Sequence, residues 1–284
     1  MNGTPWSGSG FQIGDLNLDS REPDTGVRWG VETFDGWGAT KGTLSPVQKP
    51  RGSGGWAGDA FDLVRSMSIS GWMAAPDAIT ASMALDRLND AVSLYPTLMV
   101  VTEAGRARWL MVRRSDEVLT VWKSDRAFTW SIQIVALDPR KFGDKLTAST
   151  GLPSSSGGLL LPATVPFSID AVSNSGQVSL ENVGNEAGPV LQRIDGPVHG
   201  PVITHVSSGL SLVFASSLVL GVGEWLDIDM EARSVMANGQ ASRSGYVISR
   251  GWSNFTPGQN TWAFTAASYD AGARFTVSAT PAWK

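Results

Sequence analysis

The chain has 284 residues, a formal charge of −4 and no cysteine. That length exceeds the usual size of a single core, so two domains are expected. The missing cysteines exclude disulfides, thiolate metal sites and a cysteine nucleophile, and the acidic balance argues against a basic nucleic-acid-binding surface. The first residues lack the basic start and apolar run of a signal peptide, and no apolar stretch reaches the ~20 residues a membrane helix needs. A soluble protein made in a cytoplasm, with no membrane insertion, is expected.

Taken in order, residues 1–26 are rich in Gly, Ser and Asp, with 11–13 as the one candidate strand. Residues 27–34 predict a strand closed by the turn signal Asp35-Gly36. Residues 35–60 form a long Gly/Pro/Trp segment that includes Lys49-Pro-Arg-Gly-Ser-Gly-Gly-Trp-Ala-Gly58. A connection of that length is usually functional or disordered. A strand is expected over 61–70, with Phe61, Leu63, Arg65, Met67 and Ile69 on one side and Arg65 breaking its apolar pattern.

One helix is expected, from about 78 to 94. Asp77 caps it, Pro96 stops it, and Ile79, Met83, Leu88, Val92 and Tyr95, with Leu85 and Ala91 beside them, form a stripe suited to packing on a sheet. Strands follow at 97–102, 107–113 and 118–122, the first two joined by a hairpin loop at Gly105. Phe128, Trp130, Ile132, Ile134 and Ala136 then alternate with Thr129, Ser131, Gln133 and Val135, and Asp138-Pro139 ends that strand. This strand reads as the one that completes the first domain (1–146), an antiparallel sheet or sandwich with one helix and an extended arm.

Residues 147–158 have the low-charge Ser/Gly/Pro composition of a linker. Beyond them, in 159–284, the signals are entirely β. Strands are expected at 159–161, 165–169, 177–180, 190–194, 202–206, 210–214, 225–229, 234–236, 261–266 and 275–279. Turn signals separate them at intervals that suit a jelly-roll sandwich. The fold class is therefore mainly β throughout. Charge falls from 33 charged residues in 1–145 to 15 in 146–284, which suits two surfaces with different partners.

No catalytic constellation emerges. His199 and His205 are the only histidines, and a triad or metal site drawn from His205, Ser207, Ser208, Asp227, Asp229 and Glu231 has neither an elbow motif nor ligand spacing. The run Gly52–Gly58 lacks the Gly-Lys-Ser/Thr ending of a phosphate loop. Asp116 and Glu117 are adjacent, so they cannot straddle a glycosidic bond. A non-enzymatic chain without cofactor or metal is expected. The twelve tryptophans stand out instead. Most suit a core, including Trp29, Trp72, Trp225, Trp252 and Trp262, but Trp37 and Trp56 lie in Gly-rich loops and suit an interface.

The motifs Val27-Arg-Trp-Gly, Lys49-Pro-Arg-Gly-Ser-Gly-Gly-Trp-Ala-Gly, Ala84-Leu-Asp-Arg-Leu-Asn and Val135-Ala-Leu-Asp-Pro-Arg-Lys-Phe resemble those of the distal tail proteins of long-tailed bacteriophages. So do Gly223-Glu-Trp-Leu-Asp-Ile-Asp, Val235-Met-Ala-Asn-Gly-Gln-Ala-Ser-Arg and Pro257-Gly-Gln-Asn-Thr-Trp-Ala-Phe. The resemblance is to those of phages infecting actinobacteria and covers nearly the whole chain. It implies a first domain closing a homohexameric ring in the virion, with an arm at about 38–58, and a galectin-like second domain outside that ring. Implied partners are the tail tube protein, the tail-tip hub, the tape measure protein, and DNA passing through without sequence-specific binding. Trp37, Lys49, Arg51 and Trp56 are the expected inter-subunit contacts. A carbohydrate-binding module attaching to host-wall glycans through exposed tryptophans is the alternative.

Overall fold

In the computed structural model of the chain, residues 5–156 and 172–284 are described. The strands expected at 159–161 and 165–169 lie outside them. The described residues are mainly β and divide between Gly143 and Asp144 into two compact units.

The first unit comprises β1 (Gly10–Ile13), β2 (Leu16–Asn17), β3 (Arg28–Asp35), β4 (Gly42–Thr43), β5 (Pro46–Gln48), β6 (Gly55–Ala57), β7 (Phe61–Asp62) and β8 (Arg65–Ala74). The helix α1 (Ala78–Ala91) follows, then β9 (Thr97–Glu103), β10 (Arg106–Arg114), β11 (Leu119–Ser124), β12 (Ala127–Ala136) and β13 (Lys141–Phe142). The antiparallel order is β2-β1-β9-β10-β12-β8-β3, with β11 added to β12 and β13 to β10. Strand β10 turns the sheet over on itself: residues 106–112 pair with β9, whereas Arg113 and Arg114 pair with β12. Both halves thereby bury their apolar faces in one core.

The alternation in β12 is realised in full. Phe128, Trp130, Ile132, Ile134 and Ala136 are all buried, and the strand pairs with β8 from Ala127 opposite Ala74 to Ala136 opposite Arg65. The hairpin between β9 and β10 turns at Ala104 and Gly105, both at positive φ.

Helix α1 starts where the sequence predicts. The Asp77 carboxylate accepts from the Thr80 backbone N–H and hydroxyl, both at 2.8 Å. Its packing face follows the expected stripe in part. Ala81, Ala84 and Leu88 are buried, while Ile79 is 76% exposed and Met83 and Tyr95 are also exposed. Val92 is buried as well, and Leu85 and Ala91 pack against the core, so the small Ala81 and Ala84 take the place of Ile79 and Met83 in the contact while Leu88 and Val92 of the stripe face inward.

The second unit comprises β14 (Leu146–Gly151), β15 (Ser154–Ser156), β16 (Val172–Asn174), β17 (Gln177–Asn182), β18 (Val190–Asp195), β19 (Val198–His199), β20 (Val202–His205) and β21 (Leu210–Phe214). It continues with β22 (Val219–Leu220), β23 (Trp225–Asp229), β24 (Ser234–Ala237), β25 (Ala241–Ser242), β26 (Val247–Arg250), β27 (Gly258–Thr265), β28 (Arg274–Ala279) and β29 (Ala282–Trp283). One sheet runs β14-β28-β18-β23-β24-β25 and the other β17-β27-β20-β21-β26. Their inner faces share one core, with the Phe264 and Phe275 rings stacked between the sheets at 5.3 Å.

The expected linker is corrected in its first half. Residues 146–151 are an edge strand along β28, with Thr147 and Ser278 hydroxyls bonded at 3.0 Å. Alternating Thr and Ser on the outer side of an edge strand leave little apolar signal, so the composition imitates a linker.

Candidate functional site

The segment that the first core does not absorb is residues 38–64. Here β4 pairs with β7 and β5 with β6, so the segment is a narrow antiparallel arm. The strand expected over 61–70 is accordingly divided: Phe61 and Asp62 belong to the arm, and the core strand begins at Arg65. Lys49 and Gly54 close the tip through a backbone bond of 3.2 Å, with Gly52 and Gly54 at positive φ.

All four arm strands are exposed along their length. Leu44, Val47, Trp56, Phe61, Leu63 and Val64 are all at least 42% exposed, and Lys49 lies over the Trp56 ring at 5.9 Å. Such a run of apolar side chains is unusual on a free surface.

The root of the arm is built in the opposite way. Trp37 is 9% exposed and packs in the core against Phe34 at 5.5 Å, and its Nε1 donates to Glu103 Oε2 at 2.6 Å. Of the four residues expected at an inter-subunit contact, Trp37 has its side chain taken up by its own unit, Lys49 is half-buried at the arm tip, and Arg51 and Trp56 are exposed on the arm.

Arg65, the apparent defect in the strand pattern, is 1% exposed. Its Nη1 donates to the carbonyls of Gly36 at 2.9 Å, Trp37 at 3.0 Å and Gly38, and its Nε donates to Pro139 O at 2.8 Å. Lys141 Nζ donates to Trp37 O at 2.9 Å and lies 5.0 Å over the indole. Burial, reinforced by repulsion from Arg65 and Arg108 and opposed by Glu103, pushes the Lys141 ammonium down to about 8.

Two buried cations thus fix the carbonyls of 36–38, where the chain leaves the core. Gly36 is required there. Its φ is +86°, and a Cβ would lie 2.2 Å from Ser66 O. The polarity of Arg65 within an apolar face was the one signal in the sequence for this root.

The other candidates disperse. His205 is buried, and desolvation holds its pKa below the ordinary value despite the bond to Asn260. Asn260 Oδ1 also accepts from Thr256, so His205 Nε2 donates to it at 3.1 Å and Nδ1 accepts from Ser208 at 2.7 Å. Asp227 and Asp229 lie on the other sheet, so no triad forms. Ser207 instead donates to Gln259 O. Asp229 caps the turn at Glu231 and Ala232, and no metal cluster occurs among the described residues. Gly52–Gly58 lies in the arm and runs into a strand rather than a helix, and Asp116 Oδ1 accepts from the neighbouring Glu117 N–H.

Among the tryptophans, Trp29 and Trp262 are core residues, and Trp72 lies across Gly30, where a Cβ would be 2.5 Å from its ring. Trp225 is half-buried beneath Arg193, so it does not present the open face that a sugar platform needs.

These features define a two-unit β protein carrying a projecting arm. The same fold occurs in SPP1 Dit, described as a paradigm of the hub adsorption apparatus in phages infecting Gram-positive hosts. The likeness has a TM-score of 0.66 over 97% of this chain and 99% of that one, at 10% identity. A chain of the phage p2 baseplate in its activated conformation with Sr is similar at a TM-score of 0.51 and 10% identity, over 95% of this chain and 96% of that one. No protein-family model and no curated protein sequence matches the chain.

Proposed function

We propose that this chain is a distal tail protein, a structural component of the tail tip of a long-tailed phage infecting actinobacteria. In this proposal six copies close a ring through the first unit, joining the tail tube to the tip. The ring leaves a passage for the tape measure protein and DNA. The protein assembles in the host cytoplasm and ends in the virion, with the tail tube protein and tail-tip hub as neighbours, and catalysis has no part in its work.

The observation that carries this reading is the arm. Its apolar side chains have no core of their own, while its root is fixed by buried hydrogen bonds. That combination suits a hairpin aimed at a neighbouring copy, because a fixed root lowers the ordering cost of docking. The likeness to SPP1 Dit across nearly the full length of both chains supports it.

Native mass spectrometry of the 30.1 kDa chain tests the proposal. A species of six copies is expected at micromolar concentration. Replacing Val47 and Trp56 together by serine should dissociate it without moving the thermal midpoint of the monomer. A strictly monomeric wild-type chain at all concentrations, and in the presence of its tail-tip neighbours, overturns the proposal.

A further inference from the structure

The second unit is poor in charge, yet three of its five arginines, Arg233, Arg243 and Arg250, belong to one corner. Arg233 stands in the turn between β23 and β24, Arg243 follows the edge strand β25, and Arg250 ends the edge strand β26. Arg233 and Arg250, with Ser244, Val247 and Trp252, line a single groove of about 350 Å3. Arg243 lies 5.9 Å over the Tyr246 ring beside it.

Among the described residues none of these three guanidiniums has a carboxylate partner. The contrast is with Arg193, which is 2.8 Å from Asp195 and 3.7 Å from Asp227, and with Arg274, which donates to Ser149. Arg233 is also one of only three described non-glycine residues at positive φ, at 53°. An unpaired guanidinium is a planar fork of donors matched to an oxyanion, and two of them line this one groove. The groove volume is at the low end of the range that holds small ligands.

We propose that this corner binds an oxyanion-bearing saccharide, with Arg233 and Arg250 holding the phosphate or carboxylate and Trp252 and Ser244 meeting the sugar. The half-buried indole gives an apolar surface beside the charge, which a saccharide uses and a bare anion does not. A nucleic acid fits poorly. It requires an extended basic track, and this unit carries six Lys or Arg against ten Asp or Glu. The inference does not depend on the ring, since every residue it uses belongs to the second unit.

Calorimetric titration of the full chain with a glycerol-phosphate oligomer, an oligogalacturonate, a neutral dextran oligomer, a poly-glutamate peptide and a thymidine oligonucleotide tests it. One of the two anionic polyols should bind, more weakly at higher salt, and which of them binds separates phosphate from carboxylate. The double variant Arg233→Gln, Arg250→Gln should lose at least about tenfold in affinity, Arg250→Lys should lose less, and Arg193→Gln should lose nothing. Unchanged thermal unfolding and oligomer mass in these exposed-site variants separate loss of binding from loss of fold or assembly. The proposal is overturned if neither anionic polyol binds at millimolar concentration. It is equally overturned if the double variant binds as wild type, or if dextran, the peptide or the oligonucleotide binds as tightly as the polyols.

Discussion

Arg65 and Lys141 are buried beside one another, and their acceptors are carbonyl oxygens rather than carboxylates. The cost shows at Lys141, whose ordinary value of 10.5 falls to about 8. An unfolded chain keeps that proton up to about 10.5, whereas the folded chain releases it near 8. Between those values the unfolded state binds more protons, so stability rises with pH. Below pH 8 both states are protonated and the penalty is present in full. Lys141→Met removes roughly 3 kcal/mol of this cost and about 1 kcal/mol of hydrogen bonding, a net gain on the order of 2 kcal/mol at pH 7. Urea unfolding at pH 7 and pH 10.5 should show the gap between variant and wild type narrowing at the higher pH. Parallel behaviour at both values would contradict the account.

At the scale of elements, the arm and the core strands obey different rules. The arm shares no strand with the main sheet, so replacing residues 42–62 by a four-residue Gly-Ser turn should shift the thermal midpoint by only a few degrees, about 1 kcal/mol, because loop closure depends weakly on length. The same variant should fail to assemble in native mass spectrometry. Loss of cooperative unfolding would instead make the arm part of the core.

This division was legible in part. Core strands such as β12 carry a strict alternation because one face is buried along the whole strand. Trp37 and Trp56 share a Gly-rich sequence context, yet one is an anchor and the other a projecting side chain. What separates them is that Lys141 lies over Trp37 and Glu103 accepts from its Nε1, and those two residues are distant in sequence. The helix misled for a related reason. Ala81 and Ala84 join Leu88 and Val92 in the core while Ile79 and Met83 turn outward, and periodicity does not rank a small close contact above a large outward one. The edge strand β14 was hidden because an edge needs no apolar alternation.

For the whole molecule, two units with separate cores make the functions separable. A fragment of residues 1–143 should fold and reach the oligomer of the full chain, because the arm and its root lie wholly within it. Equal copy number for fragment and full chain in native mass spectrometry is the expected result. A monomeric fragment beside an oligomeric full chain would place part of the assembly surface in the second unit.

The same six outward apolar residues of the arm govern how the chain behaves before it finds its partners. Until they are covered, each copy carries two exposed ribbons with free strand edges, which is the template on which chains pair indiscriminately. During overproduction the race is between orderly closure and precipitation. Slow synthesis, or co-synthesis with whatever covers the arm, should therefore raise the soluble yield, and the variant with the arm replaced should need neither.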